Sequence, residues 1–336
     1  MALTLDDLAA LSGVSRATVS RVVNGGPVAE ATRQRVMEVL QRTNYRPNLA
    51  ARTLASGRSG VVGVVMHIDP RLLFNDPYFS GLLHGMSNAL AEKAVGMMLW
   101  LGDRTREETL DQILLRGMLD GVIVTAHWLE DPIVDGLLES SIPTVLIGHR
   151  HADRNASYVD VDDVQAADTL TTHLLDIGRQ RVGHIAGLPG SVAAADRVAG
   201  YRRAIQRAGL DPDDLVVEGD FTRESGLVGT KTLIDLGVDA IFCANDATAG
   251  GALEALRERG LRVPEDVAVA GYDDLEFAAR LDPPLTTIRQ GVLAQGSEAA
   301  RTLFQLLDHP DDGPRRIVLP TELVVRRSTI GAVRSE

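Results

Sequence analysis

The chain has 336 residues and a single cysteine, enough length for two or three domains with cores of their own, and no means of forming an intrachain disulfide or a multi-cysteine metal site. No apolar run could cross a bilayer, and the first residues lack the basic and apolar regions of a signal peptide, so the expectation is a cytoplasmic protein that contacts no membrane. The net charge of −12 argues against non-specific nucleic-acid binding by the whole chain, but residues 1–60 hold eight arginines against four acids, which leaves a basic head on an acidic body.

Leu5, Leu8, Ala9 and Leu11 recur at helical spacing and predict a short first helix. Gly13 permits a sharp turn, and Ser15 suits the cap of a second helix. In that second helix Ala17, Val19, Val22 and Val23 can pack on the first, while Arg16, Thr18, Ser20 and Arg21 form a polar face near the helix start. This is the pattern of a helix-turn-helix, whose second helix meets base edges and phosphates; an ordinary helical hairpin with a solvated face fits it as well. Ala31–Leu40 predicts a third helix, with Val36, Val39 and Leu40 on one side, ended by Asn44-Tyr45-Arg46-Pro47-Asn48. Leu49–Ser56 could form a helix too short to be stable alone, and Gly57-Arg58-Ser59-Gly60 is a linker.

From Val61 the pattern changes. Apolar runs at 61–66, 95–99, 121–124, 144–147, 182–186, 240–244 and 267–270 read as buried strands, with a last strand at Arg316–Pro320. Helical patterns such as Ser80–Lys93, Ala166–Asp176, Val198–Ala208 and Ala247–Arg259 lie between them. Strands alternating with helices predict parallel α/β units, and the length fits two such sheets. Ligands in this architecture bind beyond the carboxyl ends of the strands. Asn245 and Asp273 each follow an apolar run, and Arg197 opens a helical segment; each taken singly could equally be a cap or turn residue. No GxSxG, P-loop or GxGxxG pattern supports an enzyme, and the eight histidines show no metal-ligand spacing, so neither metal nor cofactor is expected. Cys243, within an apolar run, is expected to be a buried, inert thiol.

Five stretches in this order and spacing carry a resemblance over essentially the full length: Gly13-Val14-Ser15 with Thr18–Asn24, Asn44–Asn48, Ala244-Asn245-Asp246, Gly271-Tyr272-Asp273-Asp274, and Pro284-Leu285-Thr286-Thr287-Ile288. The sequence resembles the LacI/GalR family of transcriptional repressors. The resemblance implies an all-α helix-turn-helix headpiece at 1–45, a hinge helix and linker at 46–60, and at 61–336 an α/β body of two parallel-sheet subdomains like periplasmic sugar-binding proteins. It places about 61–161 and 290–320 in one subdomain and about 162–289 and 321–336 in the other.

It further implies a homodimer on a palindromic double-stranded DNA operator, controlled by a small-molecule effector, expected to be a sugar. Arg16 and Ala17 match the family's specificity positions, and Arg21 matches one that also reaches the groove. An arginine fork can bond guanine bidentately, although phosphate contact is the common alternative. Ser15, Thr18, Ser20, Asn24, Thr32, Tyr45 and Asn48 would hold the backbone. Leu54 matches a residue inserted into the minor groove from paired hinge helices, where composition alone suggests packing between head and body. Arg197, Asn245 and Asp273 match effector-binding positions, with Tyr78, Phe79 and Phe221 as aromatic walls. Many members carry an aspartate where this chain has Gly148, and His149 is the candidate to replace it. A purine acting as co-repressor is the alternative effector, and a solute-binding protein for transport the alternative function. The last residues contain no leucine heptad, so a dimer is expected rather than a coiled-coil tetramer.

Overall fold

The computed structural model describes residues 3–23, 26–45, 57–101, 107–115, 118–149, 155–211 and 215–330. The chain divides into two compact units, residues 1–59 and 60–336.

In the first unit, α1 (Leu5–Ser12) starts at a capping box: the Thr4 hydroxyl accepts from the Asp7 amide, and the Asp7 carboxylate accepts from Thr4 N–H at 2.8 Å. It stops at Gly13, whose φ of +65° turns the chain. Ser15 then caps α2 (Arg16–Val23), its hydroxyl accepting from Thr18 N–H at 3.2 Å. α3 (Glu30–Thr43) closes the bundle and ends at Asn44 in the left-handed conformation. Leu8, Val19, Val22, Val36 and Val39 form its core. One expectation about packing fails: Ala17 is exposed, on the far side of α2 from that core.

The second unit contains two six-stranded sheets. The first is ordered β11-β5-β4-β3-β1-β2, all parallel, from β1 (Val61–Met66), β2 (Gly96–Leu101), β3 (Gly121–Thr125), β4 (Thr144–Ile147), β5 (Ser157–Val161) and β11 (Arg316–Leu319). The second is ordered β12-β10-β9-β8-β6-β7, from β6 (Val182–Ile185), β7 (Val216–Val217), β8 (Ala240–Cys243), β9 (Ala268–Asp273), β10 (Thr286–Arg289) and the antiparallel β12 (Glu322–Val324). The chain passes between sheets three times, after β5, β10 and β11.

Helices cover both faces of each sheet, which is why the central strands read as unbroken apolar runs. On the first sheet lie α4 (Pro70–Asn75), α5 (Pro77–Glu92), α6 (Glu107–Ile113), α7 (Pro132–Glu139) and α12 (Val292–Asp308); on the second, α8 (Asp163–Asp176), α9 (Val192–Arg207), α10 (Arg223–Asp235) and α11 (Asp246–Glu258). Close helix pairs rest on glycine. A Cβ on Gly85 of α5 would stand 2.1 Å from the Leu293 carbonyl of α12, and one on Gly251 of α11 would stand 1.9 Å from the Arg223 carbonyl of α10. Cys243 is fully buried, and burial pushes its thiol well above the ordinary range.

β2 departs from its reading as a buried strand. It is an edge strand, with Met98, Leu99 and Leu101 exposed. Four strands, β5, β7, β10 and β12, had no apolar run to announce them. Ser157 and Asp160 interrupt β5, two threonines begin β10, and the other two have only two or three residues.

Candidate functional site

A cleft of about 1000 Å³, open to solvent, lies between the carboxyl ends of the two sheets. Its walls come from strand ends and the helix starts that follow them. The first subdomain contributes His67 after β1, Asp76, Tyr78 and Phe79 at the start of α5, Thr125–Trp128 after β3, Gly148 after β4, and Asp160 in β5. The second contributes Ser191 and Arg197 around α9, Phe221, Asn245 after β8, Asp273 ending β9, and Gln290 after β10.

Arg197 is the centre of the second wall. The side chain is buried; Nε donates to Asp163 at 3.0 Å, one terminal nitrogen donates to the Ala244 carbonyl at 2.7 Å, and the other lies 3.9 Å from Asp273. Its guanidinium carbon sits 3.8 Å from the centre of the Tyr272 ring and 5.9 Å from that of Phe221. Burial alone would weaken its charge, but Asp163, Tyr272 and Asp273 raise its pKa above the already high arginine value.

Asp273 ends β9 at a φ of +110° and is nearly inaccessible. Burial holds its carboxyl well above the usual range, opposed by Arg197 and reinforced by Asp246 and Asp76. The Gln290 side-chain amide donates to it, and Gln295 in turn donates to the Gln290 carbonyl and side chain at 2.8 and 2.9 Å. Asn245 caps α11, accepting from Thr248 N–H at 2.9 Å, and donates to the Phe221 carbonyl at 3.0 Å. It is therefore a cap residue and a cleft residue at once. Phe221 itself has a φ of +66°. Unfavourable backbone at Phe221, Asp273 and also Ala126 (φ +55°), all on the rim, is the kind of strain that collects at binding sites.

On the first wall, Asp76 caps α5 through Tyr78 N–H at 2.9 Å, and burial raises its pKa. The rings of Tyr78 and Phe79 meet edge to face at 5.1 Å, and burial pushes the Tyr78 hydroxyl above its ordinary value. His67 pairs with the fully buried Asp131 at 2.6 Å; burial works against the Asp131 charge, but His67 and the amides of Val134 and Trp128 carry its pKa below the ordinary value. The loop Gly187-Leu188-Pro189-Gly190 makes room for aromatics. A Cβ on Gly187 would strike the Phe221 ring at 2.1 Å, and one on Gly190 would press on Trp128 at 3.1 Å. Across the cleft, Leu129 N–H donates to the Gly190 carbonyl at 2.9 Å.

Six of the seven effector candidates thus share one cleft: Tyr78, Phe79, Arg197, Phe221, Asn245 and Asp273. His149 is a correction. It does not line the cleft, because its ring stacks on Tyr158 at 4.3 Å and its Nδ1 engages Asp160. Asp76, Asp160, Asp163, Gln290 and Gln295 were not singled out from the sequence. Gln290 is a polar residue directly after a strand, as Asn245 is one residue further on from its own, which is the available signal.

In the three-helix unit, Ser15, Arg16, Ala17 and Arg21 are exposed, and Thr18, Ser20, Thr32 and Tyr45 are half-buried. Tyr45 packs against the core. Arg16 lies 3.7 Å from Asp6, both highly exposed. Asn24, Asn48 and Leu54 lie outside the described residues, as does most of the expected hinge. No helix among the described residues is long and apolar enough to cross a membrane, and none of their His, Cys, Asp and Glu residues group to hold a metal.

Residues 4–48 match the model of bacterial regulatory proteins of the lacI family, and residues 171–329 match a periplasmic binding protein-like domain. The transcriptional regulator CelR of Thermobifida fusca is 39% identical over 332 residues, covering 97% of this chain and 98% of that protein. The chain belongs to the lacI family. Among solved structures of this family, a CelR–cellobiose complex is 36% identical with a TM-score of 0.75, covering 97% of this chain and 99% of the other. The lac repressor dimer bound to operator and the anti-inducer ONPF is 29% identical with a TM-score of 0.86, covering 98% and 99%. In this lacI-family chain, then, the helix-turn-helix head and the two-sheet body belong to a transcriptional regulator and not to an enzyme.

Proposed function

We propose that this protein is a cytoplasmic transcriptional repressor that binds a palindromic operator as a homodimer and is controlled by an uncharged sugar in the cleft. The observation that carries the sugar reading is the polarity of the walls. Among the described residues, five aspartates line the cleft (76, 160, 163, 196 and 273) against one arginine, and Arg197 is already engaged by Asp163 and the Ala244 carbonyl. Carboxyl oxygens accept hydrogen bonds, so they suit a ligand rich in hydroxyl donors, and the one lining arginine among the described residues is already held by protein groups and not offered to a phosphate or carboxylate. Tyr78, Phe221 and Trp128 offer apolar surface for the C–H faces of a sugar ring. The CelR complex with cellobiose supports a sugar of this kind.

The exposed face of α2, with Arg16, Ala17 and Arg21, is the reader of base edges, and two copies of it in a dimer call for two half-sites. The apolar edge strand β2, unprotected in the single chain, supports pairing of two bodies. The test is calorimetry on the full-length protein with cellobiose, maltose, ribose and glucose, and with glucose 6-phosphate. Binding of a neutral sugar and rejection of the phosphate ester support the reading. Binding of the ester alone, or of a purine and no sugar, overturns it.

A further inference from the structure

We propose that Asp160 is a specificity-determining residue of the cleft, the first subdomain's counterpart to Asp273, and that His149 is its positioning residue. This rests on the reading of the cleft as a sugar site.

Gly148 N–H donates to the Val159 carbonyl at 2.9 Å, which sets Asp160 beside Gly148 on the neighbouring strand. Gly148 has a φ of +82°, and a Cβ there would stand 3.4 Å from Nε2 of His127. The backbone conformation disfavours a side chain at 148, and the carboxylate at this part of the wall is that of Asp160.

That carboxylate is held in a fixed plane. Oδ1 accepts from Val161 N–H at 2.7 Å, and Oδ2 is engaged by Nδ1 of His149. The imidazole is itself fixed by stacking on Tyr158, with the rings inclined by only 11°. Each carboxylate oxygen has two acceptor sites, so one on each is left for a ligand hydroxyl. The arrangement mirrors the opposite wall, where the Gln290 amide holds Asp273. A ligand that donates hydroxyls to both aspartates ties the two subdomains together.

A purely structural role would not require an acid here. The side chain is about nine-tenths buried, none of the described arginines or lysines pairs with it, and burial with the nearby Asp163 works against its charge. An asparagine could keep the Val161 bond through its oxygen and, with the other imidazole tautomer, donate to His149 through its amide nitrogen. A carboxylate kept at such a position is explained by what it accepts from the cleft.

The test measures sugar binding to the full-length protein by calorimetry, with cellobiose, maltose and ribose as probes and thermal unfolding as the check on folding. Asp160→Asn keeps the shape and exchanges one acceptor oxygen for a donor. It is expected to weaken the sugar at least tenfold, as loss of a charged hydrogen-bond partner does. His149→Phe keeps the stack on Tyr158 but removes the donor, and is expected to weaken binding severalfold. His149→Gln retains a donor and is expected to restore most of it. In the Asp160→Asn background His149→Phe should add nothing, because it acts through Asp160. Binding by Asp160→Asn within twofold of the parent, or fully additive effects in the double variant, overturns the inference alone. Failure of the parent protein to bind any sugar overturns it together with the reading of the cleft.

Discussion

Replacing Arg197 by methionine tests the electrostatics of the second wall. The change keeps most of the aliphatic stem and removes the guanidinium from between Asp163, the Ala244 carbonyl, Asp273 and the Tyr272 ring. Deleting one member of a buried ion pair leaves its partner unpaired and costs about 3–5 kcal/mol. For a body of this size each kcal/mol shifts the melting temperature by about 2–4 °C, so a fall of roughly 6–20 °C is expected. The penalty should depend on pH with a definite sign. The Asp273 pKa is already raised in the folded protein, and without Arg197 it rises further. The folded state then binds more protons than the unfolded one, so stability is lost as pH rises above the ordinary aspartate value of about 4. The deficit of the variant should therefore be largest near neutrality and shrink toward pH 4. The assay is thermal unfolding by circular dichroism across that range. A shift below about 2 °C at neutral pH, or a deficit that grows on acidification, would refute the reasoning.

Three further outcomes follow from other residues. His184 is fully buried, bonded to the Phe242 carbonyl at 2.9 Å, and burial pushes its pKa down to about 4. The unfolded state takes up the proton first, so stability should fall by about 3 kcal/mol as pH drops from about 6.5 to 4, and His184→Phe should flatten that limb of a denaturant-unfolding profile. Adjacent glycines of α11 should respond with opposite signs. Gly250→Ala meets only an Arg223 side-chain nitrogen at 3.5 Å and should stabilise by up to about 1 kcal/mol, whereas Gly251→Ala meets the Arg223 carbonyl at 1.9 Å and should destabilise by about 1–3 kcal/mol in the same titration. Arg16→Ala should cost about 1–3 kcal/mol on the cognate operator and relax preference at one base pair, read by binding to an operator library; a uniform loss across all sequences would assign Arg16 to phosphate.

The fold class is legible in the sequence because burial on both faces leaves β1, and β3 up to its terminal Thr125, no polar positions. The same logic hides β5 and β10. Asp160 in β5 serves the cleft, and Thr286 in β10 bonds Ser328, Thr329 and Arg326 from the far end of the chain. Asn245 and Asp273 could be expected near a cleft from their place at strand ends, whereas Arg197, inside α9, was joined to them by the family resemblance. The groups that orient them could not, since Asp163 and Gln290 reach their partners across 34 and 17 residues of chain. His149 is a ligand candidate only through the family resemblance; its stacking on Tyr158 is a lateral contact between strands that local sequence does not show.

The central claim is that a sugar in the cleft controls the head. It is tested most directly by fluorescence anisotropy of a labelled operator with full-length protein, as cellobiose, maltose or ribose is titrated in. A shift in operator affinity of about 5- to 150-fold is expected with one of these sugars, and no shift when Asp273→Asn replaces the parent protein. An operator affinity indifferent to every sugar that calorimetry shows to bind, or an equal response from Asp273→Asn, would contradict it.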